Sequence, residues 1–288
     1  MTPSMVALLA MFGMSHPIRV LDVGANPIEG DPSYKALLDA GHATVTGFEP
    51  QAEALAALNA AKSANETYLP DALGDGQNHD LHLYHHSGFT SIFPPDAGSA
   101  DLLGFGRSMT VTGSIALPTR KLDDIAEIIA IDFLKIDVQG SELSILRNGR
   151  AKLKDCLVIQ TEVRLFPLYD GEPTFGDLSA ELTNQGFQFF RFHTMKHALL
   201  SRGYRKKLRR SEFGQAVDGD AFFVRDLRLI GQLSNDHLIR LAIIAGGIMA
   251  SCDLTLFCLG QLVQRSVITT AQVDGYYASL PGSAVRGS

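Results

Sequence analysis

The chain has 288 residues and a formal net charge of −6, so it carries no global basic field that would recruit nucleic acid or an anionic membrane. Hydrophobic residues make up 45% of it, which is enough for one large α/β domain with an appended subdomain. The three cysteines, Cys156, Cys252 and Cys258, lack the spacing of a zinc site or a disulfide framework, which predicts reduced thiols in a cytoplasmic protein.

Two apolar stretches resemble membrane signals. Residues 6–14 follow no Lys or Arg and precede no small-residue cleavage signature, so we expect no signal peptide. Residues 241–263 reach the ~20 residues that a membrane span needs, but they include Asp253, Gln261 and a Gly246-Gly247 pair. We therefore predict a helix hairpin buried in protein and no membrane span.

Strand and helix signals alternate along most of the chain, which predicts an α/β fold with a mostly parallel sheet and helices on both faces. The seven predicted strands are residues 18–23, 43–48, 67–69, 133–138, 156–163, 187–192 and 221–224. The predicted helices between them are residues 32–40, 51–64, 122–129, 141–146 and 174–185.

Two regions depart from this alternation. Residues 80–118 show no helical period and are broken by Gly and Pro, so we predict an inserted, lid-like region over a cleft. Residues 233–280 are helical in pattern, with a mainly apolar face. We therefore divide the chain into residues 1–226, which hold the sheet, and a helical subdomain at residues 227–288 that packs on the core or forms a homodimer.

The first two predicted strands end in residues suited to a nucleotide-like ligand. Asp22, Gly24, Ala25 and Asn26 close the first strand, where a glycine turn and exposed N–H groups can hold a carboxylate. The G-x-G-x-x-G fingerprint of dehydrogenases is absent, because Asn26 and Glu29 replace its second and third glycines.

The second strand ends in Glu49-Pro50, and a carboxylate there can accept hydrogen bonds from both ribose hydroxyls of an adenosine. An acid that caps the following helix is the alternative interpretation of Glu49. We also assign Asp71 and Ala72, which follow the third predicted strand, to the cofactor site.

A third signal is Lys135-Ile136-Asp137 at the end of a buried strand, where open α/β sheets place ligand groups. A buried Lys135 needs a partner such as Asp22 or Asp137, unless it emerges at the sheet edge. Asp137 is assigned to both the cofactor site and catalysis, and Gln139 to the cofactor site.

These three motifs resemble the FkbM family of S-adenosylmethionine-dependent methyltransferases over residues 19–224. The matching pieces are Leu21-Asp22-Val23-Gly24-Ala25-Asn26, Phe48-Glu49-Pro50, Leu122-Asp123-Asp124, Leu134-Lys135-Ile136-Asp137-Val138 with Gly140 and Glu142, and Thr161-Glu162-Val163. The resemblance implies a Rossmann-like class I methyltransferase sheet, S-adenosylmethionine as cofactor, and methylation of hydroxyl groups, commonly on sugars of glycans or on polyketides.

The sequence departs from the family pattern at two positions. Residues 27–30 (Pro-Ile-Glu-Gly) stand where the family has Ile-Gly, which lengthens the predicted cofactor loop. Gln139 stands where the family has Glu, and Gln serves less well as a metal ligand or a base. The second departure supports an alternative hypothesis, a non-catalytic cofactor-binding or assembly protein.

A hydroxyl acceptor gains from a base within ~3 Å or from a divalent ion. Asp137 and Glu162, at the ends of neighbouring predicted strands, and His85 are the predicted catalytic residues; the alternative for the two acids is a buried, structurally satisfied pair. His86 and Ser91 lie in the insertion and are predicted to contact substrate. No ligand spacing indicates a metal site, although metal dependence stays open.

The last feature is a basic run at residues 202–210 in an otherwise acidic chain, from which Arg205 and Lys206 are predicted to bind substrate. Phosphates of a nucleotide-sugar, a phosphoglycan or a lipid headgroup would suit it, as would a solvated loop. Nucleic acid fits less well, because the only interleaved aromatic residue is Tyr204. The sequence thus predicts an O-methyltransferase acting on a sugar, a glycan or another hydroxylated small molecule.

Overall fold

The computed structural model describes residues 1–13, 16–26, 30–204, 206–208 and 214–285. For Arg202 it describes only the backbone. The helices are α1 (Pro3–Phe12), α2 (Lys35–Asp39), α3 (Ala52–Ala61), α4 (Ala97–Leu103), α5 (Glu142–Arg147), α6 (Phe175–Asn184), α7 (Asn235–Gly247), α8 (Cys252–Gln264) and α9 (Thr270–Ala278). The strands are β1 (Ile18–Val23), β2 (Ala43–Phe48), β3 (Glu66–Leu69), β4 (Ala72–Leu73), β5 (Asn78–Tyr84), β6 (Val111–Arg120), β7 (Phe133–Ile136), β8 (Val158–Arg164), β9 (Phe187–Phe192), β10 (Lys196–Ala198) and β11 (Gln215–Arg225).

The main sheet has eight strands, and its central order is β3-β2-β1-β7-β8-β11. Neighbours from β3 to β8 are parallel, whereas β11 runs antiparallel to β8. Both β9 and β10 pair with β11, at different stretches of it. All seven predicted strands lie in this sheet, and the Rossmann-like class I methyltransferase fold is confirmed.

Helices cover both faces of the sheet. One face packs with α1, α2 and the three C-terminal helices α7, α8 and α9 in a single apolar core. The opposite face packs with α5 and α6. The expected buried hairpin is formed by α7 and α8, and no helix in the described part of the chain is long and apolar enough to cross a membrane. The division of the chain at residue 226 stays a prediction.

The inserted region forms a layer of its own beside the sheet. Strands β4, β6 and β5 make a small three-stranded sheet. Helix α4, which the sequence pattern did not predict, begins where Asp96 accepts a hydrogen bond from Ser99 N and ends at Gly104 in the left-handed conformation. A third apolar core joins the insertion to the main sheet through Tyr84, Leu103, Tyr169 and Val217.

The helix predicted at residues 122–129 is wrong. The chain there makes 3-10 turns, in which Ile125 N bonds Leu122 O and Ile128 N bonds Ile125 O. The buried residues Leu122, Ile125, Ile128 and Ile131 recur every third residue, the spacing that aligns side chains in a 3-10 helix. The apolar pattern correctly marked a buried segment but not its backbone geometry.

Candidate functional site

The carboxyl ends of β1, β2, β7 and β8 meet at one edge of the sheet, because these strands are parallel. This edge brings together the turn after β1, Glu49 after β2, Asp137 after β7 and Glu162 within β8. Ligands of open α/β sheets bind at such an edge. The sequence-predicted cofactor and catalytic acids are therefore neighbours in space.

Gly24 lets the turn after β1 press against the end of β7. Its φ is +81°, and a Cβ at this position would lie 2.0 Å from the carbonyl oxygen of Asp137. The N–H groups of Gly24 and Ala25 both donate to Phe48 O, at 3.1 Å. A side chain at residue 24 would push apart the two strand ends that form the site. Asn26 follows, and residues 27–29 of the lengthened loop lie outside the described residues.

Glu49 is buried at the end of β2, next to Pro50. Its Oε1 accepts a hydrogen bond from Gln51 N at 2.7 Å, and the backbone of Asn26 also bonds the carboxylate. Burial raises the pKa of Glu49, against the lowering effect of these bonds. The carboxylate thus joins the β1 turn to the start of α3, so the alternative interpretation of Glu49 as a helix-cap residue has a structural basis, and a role toward ribose stays a prediction.

Asp71 and Ala72 follow β3, the outermost strand of the parallel series. The Asp71 carboxylate accepts a hydrogen bond from Arg120 Nη1 at 3.1 Å. Ala72 begins β4 and pairs with Thr119 of β6. Both residues connect the main sheet to the insertion, and their contact with a cofactor stays a prediction.

Asp22 and Lys135 form a buried polar group under the edge. Lys135 Nζ donates to Asp22 Oδ1 at 3.2 Å, and Tyr34 Oη donates to Asp22 Oδ2 at 2.5 Å. Burial alone would lower the pKa of Lys135, but attraction to Asp22 and Asp137 outweighs it and leaves that pKa above its usual value. Of the three alternatives for Lys135, pairing with Asp22 is correct.

Asp137 and Glu162 follow paired positions of adjacent strands, since Ile136 of β7 is in register with Thr161 of β8. Both carboxylates lie on the same face as Lys135 and Gln160. Burial raises the pKa of Glu162 well above its ordinary value; Arg164 opposes this shift, and repulsion from Asp137 adds to it. A buried acid of raised pKa beside a second acid holds a proton more readily than an exposed acid does.

Arg164 holds this part of the site together. Its side chain is 4% exposed and contacts three carboxylates, with Glu162 at 3.3 Å, Glu172 at 3.1 Å and Asp218 at 2.8 Å. Burial alone would lower the pKa of Arg164, but attraction to the three acids has the larger effect. The net result is a raised pKa, so the guanidinium stays charged. Arg164 therefore fixes the orientation of Glu162 and offsets part of its charge.

The turn after β7 carries Gln139, a non-glycine residue with φ of +56°, and Gly140. Glu142 at the start of α5 accepts hydrogen bonds from Val138 N at 3.0 Å and Gly140 N at 2.9 Å. Burial raises the pKa of Glu142 to about 7. The Gln139 side chain reaches both Asp137, at 3.3 Å, and Arg164, at 3.5 Å, which links it to the acidic pair.

The insertion is fastened to this turn. Ser91 is 1% exposed, and its hydroxyl donates to the Gln139 carbonyl oxygen at 2.6 Å. A Cβ at Gly140 would lie 3.0 Å from the ring of Phe93. The Ser91 side chain is thus committed to holding the insertion over the end of β7, and a substrate contact for it stays a prediction.

The third predicted catalytic residue, His85, and the other predicted substrate residues make none of these contacts. His85 and His86 are exposed at the end of β5, where their N–H groups bond Thr110 O and Ser108 O and the ring of His86 packs edge-on to Phe89. Lys206 is exposed in the connection between β10 and β11. Arg205, together with residues 209–213, lies outside the described residues.

Sequence patterns missed Arg164, Glu172, Asp218, Asp220 and Tyr34 as parts of the site. The register pairs Arg164 with Asp218 and Glu162 with Asp220, so β8 and β11 present four charged residues on one face. The sequence did contain one signal: a charged or polar residue at every second position of an otherwise apolar strand, which places those residues on one face. The long separation of β8 from β11 in sequence concealed the pairing.

The charges of the edge favour a positively charged ligand. Burial raises the pKa values of Glu142, Glu162 and Glu172. Even without these three, the acids at the edge outnumber the bases Lys135 and Arg164; they are Asp22, Asp137, Asp218 and Asp220. Attraction between unit charges is strengthened where water is excluded. A cofactor with a cationic sulfonium fits this donor set. Among the described residues, no group of three or more His, Cys, Asp or Glu could hold a metal ion.

Comparisons with known proteins agree with this geometry. A family model described as "Methyltransferase FkbM domain" matches residues 22–189. A search of curated protein sequences found no significant match.

Solved structures similar to this chain include two methyltransferases. Magnesium protoporphyrin IX methyltransferase from Synechocystis, solved with bound SAM, is 12% identical, with a TM-score of 0.37 over 77% of this chain and 76% of that one. An S-adenosylmethionine-dependent methyltransferase described as putative, from Listeria monocytogenes, is 13% identical, with a TM-score of 0.40 over 77% of this chain and 96% of that one. Both likenesses are too distant to support a conclusion about activity.

Proposed function

Because the chain belongs to the FkbM methyltransferase family, whose domain spans residues 22–189, we propose that it transfers a methyl group to a hydroxyl of a sugar, a glycan or another hydroxylated small molecule. Its cofactor is S-adenosylmethionine, as in the family. The observation that carries the choice of oxygen is the pair formed by the buried Glu162 and the half-buried Asp137 beside the Gly24 turn.

A sulfonium cofactor supplies an electrophilic methyl group, and its transfer is an in-line displacement that depends mainly on positioning. A sugar hydroxyl is a poor nucleophile at neutral pH and gains from a base. Glu162 supplies an acceptor for the hydroxyl proton, and Asp137, in the neighbouring position, orients the hydroxyl. A neutral amine acceptor needs no such base, so the acid pair favours oxygen.

The chain's residues hold the cofactor as follows in this proposal. Glu49 binds the ribose hydroxyls at the end of β2. The backbone carbonyl groups of Gly24, Ala25 and Asn26 accept hydrogen bonds from the methionine end, since the N–H groups of Gly24 and Ala25 already donate to Phe48 O. Asp22 acts through Lys135 and Tyr34 to fix the base of this turn. Asp71, Ala72, Pro50 and Gln139 complete the predicted cofactor contacts.

Location and assembly are part of the same proposal. Free cysteines at Cys156, Cys252 and Cys258 support a reducing, cytoplasmic environment. Exposed Phe257 of α8 and Tyr277 of α9 support a homodimer contact on the C-terminal helices.

The test is methyl transfer from isotope-labelled S-adenosylmethionine to a panel of nucleotide-sugars, free sugars and polyols. With an acceptor found, Glu162→Gln should lower kcat by about 10²–10⁴-fold, the usual contribution of a general base. Asp137→Asn should lower kcat less, because Asp137 orients the hydroxyl and does not take its proton. Asp274→Asn and Glu127→Gln remove exposed acids in the same way and should leave kcat unchanged.

Two results would contradict the proposal. Transfer only to amines in a matched panel would exclude the hydroxyl acceptor. Cofactor binding without turnover on any acceptor would favour the alternative, a non-catalytic cofactor-binding or assembly protein. Gln139, which stands where the family has Glu, supports that alternative, because its side chain contacts Asp137 and Arg164 within the site.

A further inference from the structure

Residues 195–210 concentrate positive charge. They contain seven Lys or Arg and no Asp or Glu. Since the net charge of the whole chain is −6 and this stretch contributes +7, the remaining residues sum to −13. The chain is therefore strongly dipolar in charge, with one basic segment on an acidic protein.

The same segment exposes large apolar side chains. Met195 is 39% exposed, Leu200 47%, Tyr204 61% and Leu208 47%. Single exposed apolar residues are ordinary. Here four of them lie in one short segment together with the exposed Lys196, Lys206 and Lys207. We define the basic–apolar surface by the described residues Met195, Lys196, Leu200, Tyr204, Lys206, Lys207 and Leu208.

The basic–apolar surface is anchored beside the functional site. Lys196 Nζ lies 3.8 Å from Asp218 Oδ1, and Asp218 also binds Arg164. Ala198 is buried in the apolar core that joins the insertion to the main sheet. The basic–apolar surface therefore adjoins a buried part of the chain, and its own side chains are exposed.

We propose that the basic–apolar surface docks the protein onto an anionic lipid bilayer. Lys and Arg are attracted to anionic headgroups, while exposed apolar side chains enter the boundary between headgroups and acyl chains. The acidic remainder does not prevent this, because repulsion fades over a Debye length of about 8 Å at physiological salt.

A bilayer fits the surface better than a nucleic acid does. Single-strand binding needs aromatic rings on which bases stack. Tyr204 is the one aromatic side chain of the basic–apolar surface, and Lys207 Nζ already lies 5.5 Å from the centre of its ring. Met195, Leu200 and Leu208 are aliphatic or thioether side chains, which suit acyl chains.

The test is sedimentation of the full chain with vesicles of phosphatidylcholine alone or of phosphatidylcholine mixed with phosphatidylglycerol. This readout needs neither cofactor nor acceptor, so it is independent of the proposed methyl transfer. We expect binding to the mixed vesicles only, weakened by added salt. Lys206→Glu with Lys207→Glu should weaken binding at least about tenfold, whereas Lys62→Glu with Lys154→Glu, an equal charge change at exposed sites elsewhere, should not.

A second variant separates lipid insertion from simple charge attraction. Leu200→Ser with Leu208→Ser keeps every charge and should still weaken binding to the mixed vesicles, because fewer apolar side chains enter the bilayer. Three results would overturn the proposal: no binding of the wild type to mixed vesicles, equal losses in the two charge variants, or single-stranded RNA binding that displaces the vesicles and is unaffected by the two Leu→Ser changes.

Discussion

Two halves of one sheet face differ sharply although they belong to the same strands. Where the parallel strands begin, Val20, Phe133 and Val158, together with Val224 of the antiparallel β11, are buried under the C-terminal helices. Where the parallel strands end, the same side of the sheet carries polar groups: Asp22, Lys135, Gln160, Glu162, Arg164, Asp218 and Asp220. The apolar half stabilises the fold, and the polar half lies where open α/β sheets bind their ligands.

The largest loss of stability is expected from the apolar half. Phe133→Ala removes a fully buried ring from the core beneath the C-terminal helices and should lower the free energy of unfolding by about 3–5 kcal/mol. The control is Ile129→Ala, at a 93% exposed position. Urea unfolding measures both, and equal losses would show that the helices do not form the core described above.

A substitution in the polar half, Arg164→Gln, should cause a comparable loss of stability. Unlike the loss caused by Phe133→Ala, this one should depend on pH. Arg164→Gln leaves Glu162, Glu172 and Asp218 without their shared cation, and removing one partner from buried ion pairs costs about 3–5 kcal/mol near neutral pH. Loss of the guanidinium raises the pKa values of these acids in the folded state. The folded variant then binds more protons than the unfolded chain, so its deficit should shrink as pH falls.

The control for this change is Lys35→Gln, because Lys35 pairs with Asp39 and both side chains are exposed. Exposed pairs contribute little to stability. A deficit of Arg164→Gln that stays constant from neutral to acidic pH would contradict the electrostatic role of Arg164.

Glu142 gives a pH effect of its own. Its pKa is about 7 in the folded state, against an ordinary value of 4.5 that we take for the unfolded chain. Between pH 4.5 and 7 the folded chain therefore binds one proton that the unfolded chain has lost. The free energy of unfolding should therefore fall as pH rises from about 4.5 to about 7, by up to about 3 kcal/mol. Glu142→Gln should flatten this part of the stability profile, and the exposed Glu127→Gln should leave it unchanged.

The smallest of these effects is expected at Tyr34. Tyr34→Phe removes the hydroxyl that donates to Asp22 but leaves Lys135 in place, so the loss should be about 1–2 kcal/mol. Tyr277→Phe, at an exposed position, is the control. A loss as large as that of Arg164→Gln would show that Asp22 depends on Tyr34 and not on Lys135.

The sequence predicts those parts of the fold that are determined by residues close together in the chain. Short apolar runs ending in Gly24 or in Glu49-Pro50 mark β1 and β2, and Thr174 with Asp177 caps α6 where the pattern placed a helix. The chain at residues 122–129 was misassigned because its three-residue apolar spacing fits both helix types over a few turns.

The candidate site was predictable only in part, for a similar reason. Asp137 and Glu162 each end a strand pattern, so their meeting follows from parallel pairing. The contacts of Arg164 with Glu172 and Asp218 join three segments, and that of Ser91 with Gln139 joins the insertion to the sheet. Such long-range contacts leave no periodic trace in one sequence.

Calorimetric titration of S-adenosylhomocysteine tests most directly whether the polar half is a cofactor site. The wild type should bind, and Glu49→Gln, which keeps the shape of the buried side chain, should bind about tenfold or more weakly, since a charged acceptor of hydrogen bonds is lost. The exposed Glu53→Gln should match the wild type. No binding by the wild type, or equal binding by the two variants, would contradict the placement of the cofactor at the ends of β1 and β2.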